Sequence, residues 1–483
     1  MQIDEAFADS QAPNSAAIKN ARGVVIKRKL VGLFRSDDGT LLFGECKGSS
    51  AENYRPSADF ADPSKPVYRC TCPSRQFPCK HSLALLYAYA QGGKFVEKDA
   101  PADITEKRAK AQARVEKKKV EADKPHKVNT SALKKKIQTQ LEGLNLLESL
   151  MNDLVRSGLG TLNARSARQI EEQAKQLGNA YLPGAQNALH GVTGLFYRSE
   201  ISSEDELKAS EREKVYSAAL DQLNRLHSLC KQGRKYLQTR LDDPELKPET
   251  ESDIAAWLGH AWQLRELKDA GLVQTNPELL QLAFSAHDDW TRKEFVETGV
   301  WLNLQNGAVQ LTHNYRPYHA AKFIREDDSC FHVMVCPELC VYPGNLNPRV
   351  RWEAGEPGPI SRADYARAFE HARSDLKAVL KDVKTQLKSP LGDRHPIALV
   401  KYRALGRAGD EVILEDAYGD RLVLADDNYP GEPCTLPLLP MLPRAVHCEH
   451  VAVLRFGHDL DSQKLRAKPL SIVTREDIIR LTY

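Results

Sequence analysis

No apolar run in this 483-residue chain approaches the roughly 18–20 residues needed to cross a bilayer, which leaves no candidate for a helical membrane span. The polar, acidic start MQIDEAFADSQAP lacks the basic and apolar segments of a secretory signal, so a cytoplasmic location is expected. Cysteine is sparse: ten residues, scattered apart from one tight group, which in a reducing compartment should be thiols or metal ligands rather than disulfides. Signatures of catalysis are missing too. There is no Gly-x-x-x-x-Gly-Lys-Ser/Thr phosphate cradle, no Gly-x-Gly-x-x-Gly after a strand, no Gly-x-Ser-x-Gly and no His-Glu-x-x-His. With no convincing internal repeat either, the chain reads as a non-enzymatic, multidomain protein whose work is recognition.

What is present is an ordinary globular balance, 41 % apolar and 28 % charged, in a chain long enough for two to four domains. A net charge of +3 hides an uneven distribution. Residues 104–136 carry twelve Lys or Arg against four Asp or Glu, a local +8, leaving about −5 for the rest.

From Gly23 to Arg69 the segments VVIKRKLVGLF and TLLFGEC, separated by Asp37-Asp38-Gly39, read as a small β-meander. VYRCTC should be extended, PSRQFP is a loop, and SLALLYAYAQGG is a short helix stopped by Gly92-Gly93. Asp103 with Glu106 suggests a capping box, opening a helix charged nearly all round that would be a solvated linker. Leu133, Ile137, Leu141, Leu144, Leu147, Met151 and Leu154 then recur at helical spacing, the start of an all-α region with a further candidate helix from Ser252 to Gly271. Beyond Glu294 the period falls to two, and Asn306-Gly307 between alternating strands marks a hairpin. The expected class is α+β: a finger module at 1–98, a basic linker at 99–130, an all-α domain at 131–275, and a β-rich region at 276–483 interrupted by one long helix near 361–387.

Cys70, Cys72, Cys79 and His81 carry the clearest chemistry. In an extended strand residues i and i+2 face the same way, so Cys70 and Cys72 can meet one ion. Pro73 and Pro78 bracket a turn that can return Cys79, and His81 falls in the first turn of the following helix. Three thiolates and one imidazole complete a tetrahedron with no place for water, the closed arrangement of a single structural zinc. Arg75 and Lys80 beside the site would favour thiolates.

Cys-x-Cys, six residues and Cys-x-His resembles the SWIM zinc finger, with its ββα arrangement. Phe43 to Ser49 resembles the segment before the finger in bacterial SWIM-domain proteins, and GLNLLESLMNDLVRSGL at 143–159 the start of their helical middle domain. The resemblance implies zinc binding and a role in protein or nucleic-acid interaction, without enzymatic activity. It also implies a possible link to AAA+ ATPases, beside which bacterial relatives are often encoded, and hence an adaptor role.

Two ligand classes stay open. A protein–protein adaptor is favoured slightly, because the remainder of the chain is mildly acidic. The alternative is DNA or RNA binding through the finger and residues 104–136, with Arg75, Lys80, Lys117, Lys118 and Lys119 as the basic surface. That stretch has no aromatic residue for stacking on bases. Cys330, His332, Cys336 and Cys340 match no metal-site spacing and read as strand residues whose cysteines pack as small apolar groups.

Overall fold

The computed structural model describes residues 3–48, 52–62, 66–74, 78–110, 130–162, 164–198, 209–243, 246–319, 329–460 and 462–482. The chain divides into two compact units, Met1–Lys127 and Val128–Tyr483. Among the described residues no helix is long and apolar enough to cross a membrane.

The first unit opens with two helices, α1 (Glu5–Ser10) and α2 (Ser15–Ile26), each N-capped by a side chain, Asp4 and Asn14. A five-stranded sheet follows, β1 (Leu30–Arg35), β2 (Leu41–Cys46), β3 (Ser57–Asp59), β4 (Val67–Arg69) and β5 (Val96–Glu97), in the order β4-β3-β2-β1-β5. All its pairings are antiparallel except β1 with β5. Helix α3 (Lys80–Ala90) packs on this sheet, burying Leu83, Leu85, Leu86 and Tyr87 against Leu42, Ala58 and Phe60. Residues 23–26, expected as the beginning of a strand, are instead the last turn of α2. Ala21 and Val24 are buried in the same core as α3, and tertiary packing overrides the strand preference of the β-branched Val24-Val25-Ile26 run.

A helix at 102–110, α4, begins where the capping signal placed one, but it is not simply solvated. Ile104, 6 % exposed, packs on Leu41 and Phe43, and Arg108 reaches the buried carboxylate of Asp59 at 2.7 Å. Residues 111–129, which include Lys117, Lys118 and Lys119, lie outside the described residues.

The second unit starts with a helical layer: α5 (Thr130–Ser157), α6 (Ala164–Asn179), α7 (Pro183–Arg198) and α8 (Ala209–Asp242). Its core contains the expected stripe of Ile137, Leu144, Leu147, Met151 and Leu154. The helix expected from Ser252 to Gly271 is two short ones, α9 (Ile254–Trp257) and α10 (Leu264–Asp269). Gly259 separates them at φ +74, where an added Cβ would also lie 2.5 Å from the Tyr181 carbonyl oxygen.

The β-rich part begins with β6 (Val273–Thr275), β7 (Glu278–Asp289), β8 (Glu294–Asn303) and β9 (Val309–Pro317). It continues with β10 (Val333–Val335), β11 (Glu338–Val341), β12 (Val350–Arg351) and β13 (Glu356–Gly358). These form two sheets, β13-β10-β7-β8-β9 and β12-β11-β6. At the Asn306-Gly307 hairpin only Gly307 takes a positive φ, and the turn is longer than two residues because the buried Asn303 closes it, pairing with Ala308 and Gly307. The helix expected near 361–387 is two, α11 (Arg362–His371) and α12 (Leu376–Lys388). The chain turns extended at Ala372, Arg373 bridges to Val400, and Asp375 caps the new helix by accepting from the Ala378 N–H. Last come β14 (Ile397–Ala408), β15 (Glu411–Glu415), β16 (Arg421–Leu424), β17 (Cys448–Asp459), β18 (Lys464–Val473) and β19 (Ile478–Arg480), a six-stranded sheet in the order β16-β15-β14-β17-β18-β19.

Segment 389–395 joins the helical layer to the sheets. Leu391 is buried in the helical core, and Trp257 Nε1 donates to its carbonyl at 2.8 Å. Arg225 of α8 donates to the carbonyls of Pro390 and Gly392, and Arg394 pairs with Asp221 at 2.9 Å. The segments 131–275 and 276–483 thus share one compact unit.

Candidate metal centre

Strand β4 runs directly into Cys70, and α3 begins directly after Cys79, which is its N-cap residue in extended conformation. His81 therefore projects from the first turn of α3, as the sequence spacing requires. The metal-binding atoms of Cys70, Cys72, Cys79 and His81 all lie within 4.8 Å of one another. Cys70 Sγ and Cys79 Sγ stand 3.8 and 3.9 Å from His81 Nδ1. A tetrahedral zinc with Zn–S bonds of about 2.3 Å sets ligand–ligand edges of about 3.8 Å, so the group fits that ion with little adjustment. Nδ1 is the ring nitrogen that faces the sulfurs.

Electrostatics point the same way. The Cys79 thiol is pushed well below its ordinary range, first by the hydrogen bond it accepts from Cys70 and further by His81 and Ser82. Cys70 is pushed up by that same hydrogen bond and by burial, and Cys72 by burial. Three sulfurs and an imidazole are crowded into one mostly buried cluster. A divalent cation that replaces the protons relieves the whole cluster, and three thiolates with one neutral imidazole are the donor set of a closed, structural zinc site.

The surroundings fix the ligands. The Tyr54 ring sits against the His81 ring with centroids 5.0 Å apart and packs with Cys70, Cys72 and Cys79. Ser82 donates to the Arg69 carbonyl at 3.1 Å, tying α3 to the strand that delivers Cys70. Asp59, 4 % exposed, holds Arg69 at 3.0 Å and Arg108 at 2.7 Å. Burial alone would push its carboxyl up, but the hydrogen bonds from Arg108, the Ala61 N–H and Arg69 outweigh it and hold the group below its usual range. Sequence reading missed Tyr54, Asp59 and Arg108, because no local spacing links them to the cysteines.

A groove of about 640 Å³ opens over Cys72, Cys79 and His81. Lys29, Lys47 and Lys80 line it, and among the described residues no carboxylate does. Lys29 and Lys47 are brought together by the β1–β2 pairing, the Lys47 N–H donating to the Lys29 carbonyl at 2.8 Å. Of the basic residues expected at the surface, Lys80 is placed here, at the first position of α3, while Arg75 lies outside the described residues. Among the described residues the other cysteines form no metal-binding group. Cys336 is buried in an apolar core with Leu339, Trp301 and Val350, Cys330 packs at its edge with its sulfur facing the His332 carbonyl, and Cys340 is buried on β11.

No curated protein matches the chain. A solved structure of a murine DNA-binding protein bound with double-stranded DNA aligns over 43 % of this chain and 98 % of its own, at 8 % identity and a TM-score of 0.20, too low to bear on fold or ligand. The SWIM zinc finger family matches residues 62–90. That match spans Cys70, Cys72, Cys79 and His81, so sequence similarity and ligand geometry meet on the same four side chains, positioned to bind one zinc ion in a SWIM-type finger.

Proposed function

We propose that the first unit is a zinc-stabilised recognition module that binds the phosphate backbone of nucleic acid in the groove beside the metal centre. The observation that carries this reading is the lining by Lys29, Lys47 and Lys80 with no carboxylate among the described residues. Charge is also partitioned between the units. Residues 1–127 hold 23 Lys and Arg against 16 Asp and Glu, a net +7, while residues 128–483 are left at −4. The mild acidity that favoured a protein adaptor therefore belongs to the other unit. Phosphates neutralised by lysines release counterions, so binding should be independent of sequence and steeply weakened by salt. Tyr54 is engaged with His81 rather than presented for stacking, which favours backbone over base contacts.

The test is binding of the zinc-loaded full chain to labelled duplex DNA and single-stranded RNA across a salt series. Log affinity should fall linearly with log salt, and replacing Lys29, Lys47 and Lys80 by Gln should weaken binding about tenfold or more and flatten the slope. Replacing Lys117, Lys118 and Lys119 measures the share of the basic stretch. Absence of binding at low salt would overturn the reading and leave the protein adaptor, with an AAA+ ATPase among the partners to be sought by pull-down.

A further inference from the structure

A cavity of about 1110 Å³ in the second unit lies between α8, α12 and the last sheet. It exceeds the roughly 300–1,000 Å³ typical of small-molecule sites. Lys384 and Lys388, one turn apart on α12, and Lys464, at the start of β18, line it. None of the three makes an ion pair among the described residues. Arg394, by contrast, is already held by Asp221, and Arg421 by Glu415.

On the wall, two clamped segments meet. His395 arrives on the 389–395 segment, and Asp427 faces its Nδ1 at 3.6 Å. Asp427 and Tyr429 arrive on residues 426–433, which are pinned by charges buried behind them. Arg455, 5 % exposed, makes a bidentate pair with Glu432, 1 % exposed, at 2.8 and 2.6 Å, and Lys468, fully buried, joins at 3.1 Å. Glu432 also accepts from the Tyr429 N–H, Arg455 donates to the Asp427 carbonyl, and Lys468 donates to Asn428 and the Pro433 carbonyl. Tyr429 is stacked on His287 at 4.4 Å and lies 4.3 Å from the Arg455 guanidinium. The Asp427 carboxylate rests against bare backbone, since a Cβ at Gly457 would come within 2.0 Å of it. Three buried charges are a poor way to gain stability compared with apolar packing. What they achieve here is to hold one loop, and with it Asp427, rigidly at the cavity.

We propose that this cavity binds a phosphorylated small molecule carrying hydroxyl groups, a sugar phosphate or nucleotide. The phosphate is taken by Lys384, Lys388 and Lys464, and the hydroxyls are held by the Asp427–His395 pair. Ammonium groups suit phosphate as point charges. A carboxylate fixed beside an imidazole offers an acceptor and, from the ring, a donor or second acceptor, which suits a diol.

The experiment is calorimetric titration of the full chain with inorganic phosphate, ribose, ribose 5-phosphate and AMP. Both phosphorylated ribosides should bind saturably and more tightly than inorganic phosphate, and ribose should not bind. The tighter of the two identifies sugar phosphate or nucleotide as the class. Replacing Lys384, Lys388 and Lys464 by Gln should weaken binding at least about tenfold, whereas Asp427→Asn should weaken only the ribosides. The groove variant with Lys29, Lys47 and Lys80 replaced by Gln should bind as the parent does, which separates this site from the metal-centre groove. No saturable binding of any phosphate compound, or undiminished binding by a triple-lysine variant with the parent's melting curve, would overturn the proposal. Should the triple variant misfold, Lys464→Gln alone gives the same reading.

Discussion

At the residue scale the metal centre depends on four side chains that cannot substitute for one another. Cys72→Ser removes a thiolate from a closed site and is expected to lower bound zinc well below one per chain. Structural zinc in small fingers contributes on the order of 10 kcal/mol to folding, so the first unit's melting transition should be largely lost. Zinc analysis and calorimetry of the purified variant check this, and unchanged zinc content would remove the assignment. Asp253 offers a second test, on pH. Burial pushes its carboxyl up to about 6, and an added Cβ at Gly344 would lie 2.0 Å from its Oδ1. A carboxyl raised above its unfolded value contributes most when protonated, and that contribution is lost as pH rises from about 4 through about 6. Asp253→Asn should therefore be more stable than the parent at pH 7, by on the order of 2 kcal/mol, with the difference shrinking toward pH 4. Denaturant midpoints at the two pH values decide it, and a difference that grows toward low pH would refute the sign.

At the element scale α4 changes its meaning. As a sequence, EKRAKAQARVEKKKV has no apolar stripe, and periodicity gives no reason to pack it. The fold supplies one through Ile104, which enters a pocket formed by Leu41 and Phe43, and Arg108, which completes the pair of guanidiniums around Asp59. Because Asp59 also holds Arg69, directly before Cys70, α4 is braced against the strand that carries the first metal ligand. Ile104→Asp is expected to destabilise the first unit by about 2–4 kcal/mol through a buried, unpaired charge and lost packing. A fall in its melting temperature together with faster zinc release to a chelator would be the signature. Indifference of both would return α4 to the role of a solvated linker.

At the scale of the whole molecule, the helical and β-rich parts of the second unit are joined by hydrogen bonds from side chains to the backbone of 389–395. Arg225 is central, donating to two carbonyls with its guanidinium 5.2 Å from the Trp257 ring. Arg225→Ala leaves two part-buried carbonyls without these donors, a cost of about 1–3 kcal/mol. The second unit is expected to unfold in one cooperative transition at a lower temperature than in the parent. Two resolved transitions in the parent, one helical by circular dichroism and one not, would show that this joint does not couple the parts.

The sequence by itself determined what depends on short-range spacing. Cys-x-Cys, Cys-x-His and a following apolar helix place four ligands within twelve residues, and strand and helix periodicities do the rest of the geometry. The long stripe from Leu133 to Leu154 was legible for the same reason: helical periodicity is a local property that the core then uses. Tertiary structure decided what depends on partners distant in sequence. It turned Val24-Val25-Ile26 into helix by packing α2 on α3, and broke the 361–387 segment where Arg373 meets Val400. It also brought Lys29, Lys47 and Lys80 to one groove, and Asp427 to His395, by strand pairing and buried ion pairs that no single window of sequence contains. Charge shows the same division. The composition fixes the total, but only the fold assigns +7 to one unit and −4 to the other, because a ligand meets surfaces rather than sums.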